Sequence, residues 1–170
     1  GEDTVMAYGS RTGTYPTWYR DIDLQALNEV WGEEKLKIYD YNFRDYNFYK
    51  LENGYGIKLK EGNNTIDEIT GIENLKFTDQ QTNLISDVKG VFDQVTGLNT
   101  DSGKMFRLYN AAFARFPDAD GLRYWISNFS SGIDDERAVS SSFLASTEFK
   151  ERYGENITNE TYVETLYLNV

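Results

Sequence analysis

Carboxylates are the most chemically capable side chains in this sequence, and their tightest spacing is Asp118-Ala119-Asp120-Gly121. Alternating aspartates before a glycine bring side-chain oxygens into one turn, the way an EF-hand loop begins to wrap calcium. Such a loop needs further oxygen donors and a bidentate Glu at its twelfth position. Counted from Asp118, that position is Phe129, so an EF-hand is excluded. The simpler reading is a helix cap, with Asp118 accepting from backbone N–H groups and Arg115 pairing nearby. Asp21 and Asp23 form a second acidic pair, on which Asp40 and Asp45 could converge. Asp21, Asp23, Asp118 and Asp120 are therefore the candidate metal ligands. Asp134-Asp135-Glu136 sits where carboxylates would complement a helix dipole. Trp18 and Trp31, with the Tyr-rich stretch 39–55, are candidate ligand contacts through sugar stacking. The competing use of those rings is core packing and cross-strand pairing. Tyr124 and Trp125 read as anchors of a helix core.

Other chemistry is excluded by composition. The 170 residues include no His and no Cys. Imidazole acid–base catalysis, thiolate nucleophiles, disulfides and His- or Cys-ligated zinc are therefore impossible within this chain. A glycosidase would need a carboxylate pair set apart by its surroundings, and no pair is singled out by spacing. The net charge of −11 opposes nucleic-acid phosphates and anionic membrane surfaces, and it favours divalent cations. Acidity also serves solubility. No apolar run approaches the roughly 20 residues that span a bilayer. The first residue is Gly1 rather than Met, so a processing site, a tag scar or the edge of a longer protein is expected there.

The elements that would position these residues divide the chain near residue 100. In 1–100, strands are expected at Val5–Tyr8, Lys35–Asp40, Tyr46–Leu51, Tyr55–Leu59, Thr65–Ile69 and Ile72–Phe77, with a short helix at Asp23–Trp31. Glu52-Asn53-Gly54 and Gly62-Asn63-Asn64 are turn signals. The expected product is a small antiparallel sheet, joined by a Gly-dotted connection at 85–100. In 101–170 apolar residues recur at helical spacing. Met105, Leu108, Tyr109, Ala112, Phe113 and Phe116 form one stripe, which Pro117 would end. Asp118, Asp134, Ser146 and either Thr158 or Asn159 are positioned to cap or start later helices. The fold class is α+β: an N-terminal antiparallel β-rich half with a short helix, then a small helical bundle. Met105-Phe106-Arg107-Leu108-Tyr109 is echoed at Val163-Glu164-Thr165-Leu166-Tyr167.

The helical half has a recognisable pattern. Leu108-Tyr109, then Arg115-x-Pro117-Asp118-x-x-Gly121-Leu122-x-Tyr124-Trp125, then Gly132, then Phe143-Leu144-x-Ser146-x-Glu148-Phe149 follow each other at fixed spacing. Phe106–Gly154 resembles the domain of unknown function DUF4214. Many members of that family carry Gly before the Arg, where this chain has Ala114. Asn42–Asp79 resembles the β module that follows calcium-binding arrays in repeats-in-toxin (RTX) proteins. Phe43-Arg44-Asp45-Tyr46, Tyr55-Gly56-Ile57 and the run from Ile66 to Asp79 carry that likeness. Gly1–Val5 is similar to the end of one such repeat.

The resemblances imply an exported bacterial protein of the cell surface, S-layer-like or of the extracellular matrix. Its role would be structural or adhesive, not enzymatic. Calcium is the one cofactor they suggest. Neighbouring copies, other surface proteins or polysaccharide are the expected partners, without nucleic acid or membrane insertion. A carbohydrate-binding module of a secreted protein and a bacteriophage virion or tail-fibre component are the alternatives.

Overall fold

The computed structural model describes residues 35–62 and 65–169. The expectations for Asp21, Asp23, Trp18 and Trp31, the strand at Val5–Tyr8 and the helix at Asp23–Trp31 lie outside those residues, as does most of the Gly62-Asn63-Asn64 turn.

The class is α+β. Six strands are described: β1 (Leu36–Ile38), β2 (Tyr46–Leu51), β3 (Gly54–Leu59), β4 (Asp67–Glu68), β5 (Asn74–Lys76) and β6 (Gln81–Asn83). They form two three-stranded sheets rather than the single antiparallel sheet expected. One has the order β2-β3-β4 and is wholly antiparallel; the other has the order β1-β5-β6. β1 and β5 run parallel, with Leu36 opposite Asn74. A parallel pair needs a crossover of a dozen or more residues, and the β2–β4 meander supplies it.

The hairpin joining β2 and β3 is the Glu52-Asn53 turn, with Leu51 opposite Gly54. Gly54 is required by space as well as conformation. A Cβ there would stand 2.1 Å from Thr70 Oγ1. In β2, Tyr46 and Phe48 are buried while Asn47 is exposed, the period-two alternation of a half-buried strand.

The expected connection at 85–100 winds as a π-helical turn, Leu84–Lys89, running into α1 (Gly90–Phe92). The bundle follows: α2 (Asp101–Phe113), α3 (Ala119–Ser130), α4 (Glu136–Ala145), α5 (Thr147–Tyr153) and α6 (Asn159–Leu168). Side chains of Thr100, Asp118, Asp135, Ser146 and Thr158 cap these five helices, each cap contributing about 1 kcal/mol.

In the bundle, the start of one helix and the end of another differ from expectation. α4 is capped by Asp135, while Asp134 accepts a hydrogen bond from Asn128 Nδ2 at 2.9 Å. α2 ends at Phe113, ahead of Pro117, because Ala114 turns left-handed with φ 48° and ψ 39°. That backbone turn releases the chain before proline sterics act.

One core serves strands and helices. Phe77 stacks on Tyr39 and meets Phe43, Tyr46 and Phe48. Phe48 lies 4.7 Å from Phe116, and Phe116 lies 5.2 Å from Phe92, whose ring stacks on Tyr55. Residues from Leu36 onward form one compact unit, so the change from strand to helix after Asn83 falls inside it.

At the far end, Phe149 is buried between Tyr153 and Tyr162. α6 packs through Tyr162 but exposes Val163 and Tyr167. Tyr109 is 6% exposed and its echo Tyr167 is 81% exposed, so the repeated sequence does not repeat the burial. No helix of the described residues is long and apolar enough to cross a membrane.

Candidate functional site

The densest polar cluster is built where α2, the 114–118 turn, α3 and α5 meet. Ala114's left-handed turn swings Arg115 back over α2, where its guanidinium lies 5.2 Å from the Tyr109 ring centroid and 5.8 Å from that of Phe113. Arg115 Nε and Nη2 donate to Glu148 Oε1 and Oε2 at 2.6 and 2.8 Å. This bidentate fork is the strongest geometry available to a carboxylate and a guanidinium. Arg115 Nη1 also donates to the Phe116 carbonyl at 3.1 Å. Asp118 Oδ1 accepts from Gly121 N at 2.6 Å, and its Oδ2 accepts from Tyr109 Oη at 2.6 Å. Arg115 and Asp118 approach to 3.8 Å.

The electrostatics follow from burial and these bonds. Desolvation opposes the Arg115 charge, but the Glu148 bonds and the neighbouring Tyr109 outweigh it, and the pKa rises. Tyr109 is pushed up by burial and by donating to Asp118. Partial burial of Asp118 favours its neutral form, yet the Tyr109 and Gly121 hydrogen bonds and Arg115 together hold its pKa below the usual carboxylate value. At neutral pH Arg115 and Asp118 are therefore charged, and Tyr109 keeps its proton.

A recess of about 360 Å³ lies beside it, lined by Asp79, Asp87, Arg115, Asp118 and Glu148 among others. Its other carboxylates are also engaged: Asp79 accepts from Phe43 N at 2.8 Å and Asp87 from Asn83 N at 2.7 Å.

Asp118 is therefore a helix cap within a charged cluster. Asp120 is separately engaged, with Oδ1 accepting from Arg123 at 2.8 Å on the exposed side of α3. Asp135 caps α4, and Glu136 pairs with Lys104 at 3.3 Å. Among the described residues, no group of three or more His, Cys, Asp or Glu is arranged to hold a metal ion. Trp125 meets Phe143 edge-on at 5.1 Å, as a core anchor should, whereas Tyr124 is exposed. α3 turns Tyr124 outward because successive helical residues are about 100° apart.

The principal partner of Arg115 was not legible by proximity. Sequence spacing points to Asp118, three residues away, but the two-pronged bond goes to Glu148, 33 residues away. The available signal was pattern membership, since Tyr109, Arg115, Asp118 and Glu148 all belong to the spaced motif described above.

Comparison with known families agrees with the end of that motif. The family model for Domain of unknown function (DUF4214) matches residues 140–170. The matched stretch contains Glu148, Phe149 and all of α6. No curated protein matches the chain, and no solved structure does.

Proposed function

We propose that this chain is a non-enzymatic structural or adhesive module of an exported bacterial cell-surface, S-layer-like or extracellular-matrix protein. The observation that carries the reading is the use made of the motif residues. Tyr109, Arg115, Asp118 and Glu148 direct their polar atoms at one another and at helix ends. A motif used in this way keeps a shape, and the function of such a module lies in the surfaces that the shape presents. The absence of His and Cys from the sequence supports the same reading, as does the likeness of Asn42–Asp79 to modules of exported proteins.

Localisation tests it. Antibody against the chain should label intact cells that produce it, and protease added outside those cells should remove the label. Signal confined to the cytosol after lysis would overturn the proposal. Calcium stiffening belongs to the same reading, supported by the net charge of −11. Millimolar calcium, but not magnesium, should raise the melting temperature, because a ligand bound only by the native state stabilises it.

A carbohydrate-binding module is the second reading. It is favoured by an open, polar hollow lined by Arg44, Lys60, Ala114 and Arg152 among others.

A further inference from the structure

A hollow of about 820 Å³ opens where β2, β3, α5 and the end of α6 meet, and Tyr41, Arg44, Asp45, Lys60, Glu61 and Arg152 line it. Three of these are cations in a chain with 28 acidic and 17 basic residues. None makes an ion pair with another described residue: the guanidinium of Arg44 has no hydrogen-bond partner among them, and Arg152 Nε donates to Tyr153 Oη at 2.7 Å.

Lys60 is held in place by neutral groups. Its Nζ donates to the carbonyls of Arg44 and Ala114 at 2.6 and 2.7 Å. The second carbonyl is at the C-terminus of α2, where the helix dipole favours a cation. An ammonium has three N–H donors, so one remains. Lost hydration, and then the charges of Arg152 and Arg44, lower the Lys60 pKa against the opposing pull of Asp45.

We infer that this hollow binds the carboxylate of an acidic sugar, a uronate unit of a polysaccharide. Asp45 and Glu61 offset two of the three cations, and the single positive charge left over matches a monoanion. The phenol of Tyr41, 53% exposed at the rim, provides a flat apolar face for the C–H side of a pyranose ring. Asn47 and Asn169 add amide groups to the lining. The volume is within the range of natural small-ligand sites, about 300–1,000 Å³. Guanidinium forks recognise planar carboxylates in two-pronged fashion, and Arg44 and Arg152 are not engaged with any carboxylate among the described residues. The inference rests on the polysaccharide-contact reading. Its failure would leave the surface-localisation test untouched, so the two can fail separately.

The probe is trigalacturonate titrated into the 170-residue chain by calorimetry, with trigalactose and sodium sulfate as comparisons. Trigalacturonate should bind, trigalactose should not, and sulfate should bind far more weakly. Affinity should weaken as salt rises, because the contacts are exposed charges. Arg44→Gln and Arg152→Gln should each cost about tenfold in affinity. Tyr41→Ala should weaken the sugar but not sulfate, and Arg123→Gln on α3 should change nothing. Melting temperatures of the variants report folding. In addition, the arginine Nε–H resonances of Arg44 and Arg152 in the unmodified chain should shift on titration. Failure of trigalacturonate to bind at 10 mM (a ceiling about tenfold above a millimolar Kd) would overturn the inference. So would equal binding of trigalactose, sulfate competing as well as the sugar, or unchanged affinity in the double arginine variant.

Discussion

Two charged clusters meet at one peptide bond, between Ala114 and Arg115, and they are handled in opposite ways. On one side Arg115 is mostly enclosed, stacked on two rings and forked onto Glu148. On the other, the Ala114 carbonyl receives Lys60 beside two arginines that have no carboxylate partner among the described residues. A charge that must be buried requires matching on the spot, so the first cluster is complete within the chain. The second opens on solvent through its hollow and can leave its matching to another molecule. The difference separates residues that maintain the fold from residues the fold makes available.

Substitutions should widen or collapse that contrast. The largest effect is expected from Arg115→Leu, which leaves Glu148 unpaired and removes the stacking on Tyr109; chemical denaturation should show a loss of about 3 kcal/mol. A loss below about 1 kcal/mol, typical of exposed pairs, would mean that the enclosed cluster is no more structural than the open one. Next comes the junction. Ala114→Val places a β-branched residue at φ 48° and should cost about 2 kcal/mol. Ala114→Gly should stay within about 0.5 kcal/mol, since relief of the left-handed penalty is offset by greater unfolded freedom and a lost buried methyl.

Acid titration is the third test. Asp118 is held below its ordinary pKa of 3.8 in the native state. Its contribution is therefore present above that unfolded value and is lost as pH falls through the lower folded one. Asp118→Asn should flatten the acid limb of a stability–pH curve below about pH 4 and leave the neutral region parallel. The smallest effect should be Arg152→Gln in the open cluster. Its thermal or denaturant midpoint should correspond to a change within about 0.5 kcal/mol, since it removes one exposed phenol contact. A large loss there would erase the distinction.

Local features of the fold were legible in the sequence because their causes are local. The caps at Asp118, Ser146 and Thr158, the Glu52-Asn53-Gly54 turn and the apolar stripe of α2 each follow from residues within one or two turns. Pairings that depend on distant segments were not. β1 lies parallel to β5 across 35 intervening residues of chain, and no residue near Leu36 encodes that neighbour. The Glu148 partner of Arg115 is hidden for the same reason. Ala114 was hidden too: its own identity argues against the left-handed turn that the backbone adopts. Asp120 and Tyr124 were misleading because residue type alone does not say which side of α3 faces in.

The ring-to-ring path from Tyr39 through Phe77, Phe48 and Phe116 to Phe92 has a calorimetric consequence. Heat cannot release the bundle without uncovering Phe48, nor the sheets without uncovering Phe116. Residues from Leu36 onward should therefore give a single endotherm whose van't Hoff and calorimetric enthalpies agree, even though strands dominate one end of the sequence and helices the other.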